Sequence, residues 1–352
     1  MVAAPIFENE AAAYADADPR RPVRLWLLAL IVLAFAMVLV GGATRLTESG
    51  LSITEWKLVT GTLPPLSDAA WQAEFERYRQ TPQYELLNRG MSLADFRSIY
   101  WWEWTHRELG RFIGLVYIAG FLWFFARRAL PGRTIAILAA VGMLLGVQGL
   151  VGWIMVASGL EPGMTAVEPV RLALHLTLAS LFLAALTALY VRLGGAEGEI
   201  ASPGVRRAAW LLVLLALVQI ALGALVAGHD AGLTYNTWPL MDGRLVPRGL
   251  GTLEPAWLNF VDNITTIQFN HRIGAYVLAA AVLTYSVALR RGPPPARDRA
   301  LLMSFMVLAQ LALGIATLVH VVPIELALMH QALALILLLT LVWNASVLGR
   351  AT

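Results

Sequence analysis

The sequence predicts an all-α integral membrane protein, with eight transmembrane helices arranged as two pseudosymmetric four-helix bundles. Three observations carry that prediction. Of the 352 residues, 58% are hydrophobic and only 14% charged, too apolar a balance for a soluble domain of this length. Uncharged runs long enough to cross about 30 Å of hydrocarbon recur eight times. The order of glycines, tryptophans and histidines along the first four runs returns along the last four.

The runs cover residues 25–44, 112–126, 134–160, 172–191, 208–229, 273–289, 300–324 and 326–349. The second and sixth are short, so each of those helices is expected to begin within the charged stretch before it. Residues 1–19 are polar and alanine-rich and are expected to be a disordered tail. A glycine-rich linker, 193–205, separates the halves 20–192 and 206–350. An even number of spans per half makes such repeats parallel.

Arginines orient the spans. Arg20, Arg21 and Arg24 precede the first run, Arg127, Arg128 and Arg133 follow the second, and Arg206 and Arg207 precede the fifth. Arg290, Arg291, Arg297 and Arg299 separate the sixth and seventh, and Arg350 follows the eighth. The positive-inside rule then puts both termini in the cytoplasm. Glu8, Glu10, Asp16 and Asp18 argue against a mitochondrial transit peptide, and the expected location is a bacterial inner membrane. The remaining basic residues sit in or beside the outer loops, 43–105 and 230–270, where an anionic ligand would explain them. The formal charge of +3 records topology and implies no nucleic acid. The absence of cysteine excludes disulfides and thiolate chemistry.

The first outer loop runs Gly50, Trp56, Gly61 and Pro64, and the second Gly232, Trp238, Gly243 and Pro247, so Gly to Trp and Trp to Gly have the same spacings in both. Farther in, Gln148-x-x-x-Gly152 matches Gln310-x-x-x-Gly314, with Gln219-x-x-x-Gly223 of the same form. Residues four apart share a helix face, so helix packing is the simplest role for these pairs. Trp71, Phe75, Tyr78, Tyr84, Phe96, Tyr100, Trp101 and Trp102 of the first loop are expected to form an interfacial aromatic lid.

Four of the six histidines, His106, His175, His271 and His330, open the even-numbered spans at similar depth. Two imidazoles on different helices of one bundle suit bis-histidine haem ligation. Arg107 and Arg272, each next to a histidine, and Arg171 are candidates to bind haem propionates. A carboxylate-bridged di-iron centre would need Glu-x-x-His twice, but Glu103-x-x-His106 is answered by Gln268-x-x-His271. Zinc lacks a third ligand, and His229 and His320, without counterparts, are expected to be structural or solvated. Glu103 alone of the pair can ionise, which makes it the expected catalytic residue, for proton transfer or for steering an intermediate beside the haem edge, and the first half the catalytic candidate; Glu103→Gln is expected to make the first site resemble the second.

The stretches 41–52, Glu103-Trp104-Thr105-His106-Arg107, 171–176, 231–239, Gln268-Phe269-Asn270-His271-Arg272 and Leu328-Met329-His330-Gln331 resemble the haem A synthase family in order and content. That resemblance implies oxidation of a methyl group of haem O to a formyl, by successive hydroxylations and loss of water. It implies His106 and His175 at the substrate haem, and His271 and His330 on a resident haem B. Some bacterial members carry a cysteine pair in the outer loops, so this chain is of the cysteine-free type. An unidentified electron donor, the haem O-forming farnesyltransferase, cytochrome oxidase assembly factors and the lipid bilayer are the implied partners. A di-haem electron-transfer protein and a parallel-repeat transporter are the competing readings.

Overall fold

A computed structural model describes residues 20–57, 60–194 and 199–349; the tail expected at 1–19 lies outside them. Ten α-helices occur among the described residues, and eight are long and apolar enough to span a bilayer. These are α1 (Arg21–Leu46), α4 (Leu93–Ala126), α5 (Gly132–Gly159), α6 (Pro169–Arg192), α7 (Pro203–Gly228), α8 (Ile264–Leu289), α9 (Pro294–Val319) and α10 (Ile324–Val347). Two short helices, α2 (Asp68–Tyr78) and α3 (Pro82–Leu86), lie in the first outer loop.

The local sequence explains the boundaries. Ser92 and Asp95 form a capping box that starts α4, and Glu168 accepts the amides of Val170 and Arg171 to start α6. Prolines occupy the first turns of α6, α7 and α9, where no amide donor is missed. As the short second and sixth runs require, α4 and α8 begin inside the charged stretches ahead of them. α4 starts some twenty residues before the apolar run and carries Glu103, His106 and Arg107 on continuous helix.

The helices α1, α4, α5 and α6 surround one core, in which Leu27, Leu30, Ile113, Leu138 and Leu183 are buried. The helices α7 to α10 surround another, with Leu212, Val282, Met303 and Leu338. Each core borrows a residue across the boundary, Leu335 into the first and Ala184 into the second. Small residues let helices approach. Trp26 lies over Gly120 and donates to the Val116 carbonyl at 3.0 Å, while Tyr117 lies over Gly142 and donates to the Leu138 carbonyl at 2.5 Å. Both cores are concentrated at the end of the bundle that holds the start of α1 and the end of α10. At the opposite end, apolar side chains leave the middle to half-buried histidines and glutamines.

The two sets of four meet through α1, α6, α7 and α10. Gln331 donates across that boundary to the Val38 carbonyl at 3.0 Å, and Arg45 reaches the Ala227 carbonyl (2.7 Å) and Asp230 (2.8 Å). One contact differs between the sets. α8 packs along α9, whereas α4 and α5 touch over a much shorter stretch.

At the other face, β1 (Glu199–Ile200) pairs in parallel with β2 (Leu348–Gly349), so the linker and the end of α10 lie together. Arg299, 4% exposed, grips both carboxylate oxygens of Glu199 and donates to Asn344.

The eight loop aromatics do not act alike. Trp71, Phe75, Tyr78, Tyr84, Phe96 and Tyr100 are buried against each other in a small core of their own, and Trp101 and Trp102 are exposed. The spacing 71, 75, 78 is one face of a helix, which α2 turns onto the start of α4. A lid built mainly of interfacial anchors is therefore replaced by a folded cap.

Candidate functional site

All four repeated histidines sit against a glycine of the preceding membrane helix. A methyl group added to Gly41, Gly152, Gly223 or Gly314 would stand 2.8, 2.7, 3.0 or 2.7 Å from Cε1 of His106, His175, His271 or His330, respectively. The glycines thus seat imidazole rings as well as admitting helices. His106 and His175 lie within electrostatic reach of each other, and so do His271 and His330, giving one pair per set of four helices.

Three rings are held by an amide one turn from their glycine. Nε2 of Gln148 donates to the His175 carbonyl (3.0 Å) and lies 3.1 Å from Nδ1; for Gln219 and His271 the distances are 2.9 and 3.0 Å, and for Gln310 and His330 3.0 and 3.1 Å. In each glutamine Oε1 is buried without a partner. Turning the amide about its last bond brings that oxygen to Nδ1, where an imidazole bound to metal through Nε2 carries a proton. Among the described residues no three His, Asp or Glu side chains converge, so the site offers imidazoles in pairs, which fit haem iron and not a closed zinc site.

The fourth histidine differs. The residue four before Gly41 is Met37, and Nδ1 of His106 is buried with no partner.

Glu103 is 2% exposed, and its carboxylate is fully engaged. Oε1 accepts from Arg107 Nη2 (2.6 Å) and Nε (3.0 Å), and Oε2 accepts from Ser52 Oγ and the Ile53 amide, both at 2.8 Å. Arg107 also donates to the carbonyls of Ile53 (2.8 Å) and Glu55 (3.1 Å). The pair therefore pins the returning outer loop one turn before His106. Gln268 does the equivalent with opposite polarity, its Nε2 donating to the carbonyls of Ala231 (2.8 Å) and Tyr235 (3.3 Å). Arg272 donates to the Thr237 and Tyr235 carbonyls, both at 2.9 Å. This corrects the expectation for Glu103→Gln: the loop of the first half offers donors where that of the second offers acceptors, so a glutamine at 103 points N–H at N–H.

Arg171 pairs with Glu168 at 3.5 Å and donates to the Ile154 carbonyl at 3.3 Å, bridging α6 to α5. A cavity of about 440 Å³ beneath the first loop is lined by Lys57, Arg77, Arg107 and Arg111, together with Glu55 and Glu74. Each of these cations is paired with a carboxylate. Lys57 holds the Glu55 carboxyl below its ordinary range. His229 and His320 sit outside both pairs, bonded to the carbonyls of Val261 and Ala316, each at 2.8 Å.

Sequence reasoning located the histidines but read the glutamines as packing; their constant place, four before a glycine that faces a histidine, was the available signal. It missed Ser52 and Ile53 as partners of Glu103, and gave no weight to Met37.

Residues 24–342 match the profile of the cytochrome oxidase assembly protein family. A protein of Methylorubrum populi named haem A synthase is 52% identical over 93% of this chain and 87% of its own length. Namesakes in Azorhizobium caulinodans and Chelativorans are 52% and 50% identical, covering 93% and 92% of this chain and 94% and 91% of their own. With most of its length matched and its paired histidines seated alike in both sets of helices, the chain belongs to the cytochrome oxidase assembly protein family, beside proteins named haem A synthase.

Proposed function

We propose that this membrane protein is an oxidoreductase that forms haem A, oxidising the methyl group of haem O to a formyl through successive hydroxylations and loss of water. The observation that carries the reading is the seating of four imidazoles on glycines in two pairs, only one of which has a carboxylate one turn away. In this reading residues 20–192 form the half that takes haem O between His106 and His175, and 206–350 the half that holds haem B between His271 and His330. When bound, haem B supplies a one-electron redox centre.

The side chains divide the remaining work. Gln219 and Gln310 orient the imidazoles of the resident site, and Gln148 orients His175. Glu103 acts as a positioning residue. Its four bonds hold Arg107 and the backbone at Ile53 one turn before His106. Arg107 and Arg272 are each next to a ligand histidine; Arg107 reaches a propionate by exchanging loop carbonyls for it, Arg272 has a buried Nε without a partner to offer one, and Arg171 reaches one by leaving Glu168.

The arginine pattern supports a bacterial inner membrane with both termini cytoplasmic, and the pairing of Glu199–Ile200 with Leu348–Gly349 supports a common side for the linker and the end of α10. An electron donor, the farnesyltransferase that forms haem O and oxidase assembly factors are the partners this reaction calls for. The test is extraction and chromatography of the haems from protein made in cells that supply haem O. Haem B with haem O or haem A is expected; two equivalents of haem B and no other haem would replace this reading by di-haem electron transfer.

A further inference from the structure

We propose that Met37 makes His106 the exchangeable ligand of the first site, so that the position opened on substrate iron lies on the His106 side and not the His175 side. The inference rests on the reading that both histidine pairs bind haem iron. Its observation is an exception in a fourfold pattern: His175, His271 and His330 each have a glutamine amide at both the ring and the carbonyl, and His106 has none.

Met37 stands in the glutamine's place. It precedes Gly41 by four residues, as Gln148, Gln219 and Gln310 precede Gly152, Gly223 and Gly314. A methyl group on Gly110, one turn after His106, would lie 3.2 Å from Met37 Cε, just as one on Gly274, one turn after His271, would meet Gln219 Oε1. A thioether is a weak acceptor, and the Nδ1 proton of a metal-bound His106 finds no better one. A second partner at Nδ1 fixes the ring and raises the basicity of Nε2, and its loss typically costs about 10–100-fold in metal affinity. The unsupported bond is the one that breaks first. Glu103 lies on α4 one turn from His106, so the opened position and the only buried carboxylate among the described residues share a helix.

The test uses the purified full chain with its haems, reduced and titrated with carbon monoxide, the displaced ligand being read from the Soret band. The native protein is expected to bind carbon monoxide at the first site. M37Q supplies the missing amide and is expected to weaken that binding at least tenfold at unchanged haem content, whereas M37L, apolar like methionine, leaves it as it was. The reciprocal Q219M is expected to open the second site to carbon monoxide. Unchanged affinity in M37Q at full haem content, or a second site still closed in Q219M, overturns the proposal while leaving the haem reading intact. An H106A protein with undiminished haem content and an unaltered spectrum overturns the ligand reading itself, and this proposal with it.

Discussion

The two sets of four helices seat their histidines by one design, and around those histidines they differ at a few positions. Imidazoles seated on glycines occur in both. In the second set each histidine has its glutamine, the loop is held by Gln268 together with Arg272 and no carboxylate, and α8 lies along α9. The first has Met37 for a glutamine, a buried ion pair for an amide and a short seam between α4 and α5. A resident cofactor benefits from rings that are each held by an amide, while a site that must receive, alter and release a molecule gains from a ring left unheld.

Removing ligands should break the comparison most sharply. His271→Ala or His330→Ala is expected to strip the resident haem and with it all activity. His106→Ala or His175→Ala should abolish activity yet leave about one equivalent of haem, a difference read by pyridine haemochrome and turnover. Equal haem loss from all four variants would mean that the halves are not specialised.

Exchanging the loop anchors comes next. Gln268→Glu turns a carboxylate oxygen toward the Ala231 and Tyr235 carbonyls, but Arg272, 3.4 Å from Gln268 Oε1, partners the new charge, so the loss is that of two carbonyls left without their donor, about 1–3 kcal/mol. Glu103→Gln breaks the buried pair with Arg107 and opposes an amide to the Ile53 N–H, and should be the larger loss of the two, about 3–5 kcal/mol. Thermal melts in detergent should place Glu103→Gln below Gln268→Glu, and limited proteolysis of the first loop should rise in Glu103→Gln alone.

Glycine changes sharpen the claim of equivalence. Gly152→Ala and Gly314→Ala meet their rings at the same 2.7 Å and should each lose about 1–3 kcal/mol with some bound haem, whereas Gly223→Ala, at 3.0 Å, should be milder.

The smallest effect is at the opposite face. Arg299 hydrogen-bonds Glu199 and holds its carboxyl below the usual 4.5. A carboxylate depressed in the folded state stabilises above its unfolded pKa and loses that contribution as pH falls through the folded value. Melts of the native chain should therefore stay level from neutral pH to about pH 5 and fall only in more acid buffer, and Glu199→Gln should flatten that fall.

Much of this was legible in the sequence because it is periodic. The eight spans follow from hydropathy, and the histidines follow from a repeat that survives in residue type and spacing. The aromatic cap was harder, since Trp71, Phe75 and Tyr78 look like interfacial anchors until α2 folds back on α4. Polarity at the anchors was illegible, because whether Glu103 and Gln268 face amides or carbonyls depends on backbone direction in loops whose spacing is the same. Met37 was visible but mute, since a methionine in an apolar helix is ordinary until its three counterparts are seen holding rings.

The seam between α4 and α5 bears on how this protein must be handled. Where two helices of a membrane wall touch over a short stretch, acyl chains fill the space beside them, so part of the packing around the first set of helices is lent by the solvent. Detergent is then a competitor for the same volume. An apparent affinity for a farnesylated macrocycle, measured in micelles of long-chain surfactant, should be weaker than one measured in a short-chain lipid disc, without a single residue having changed.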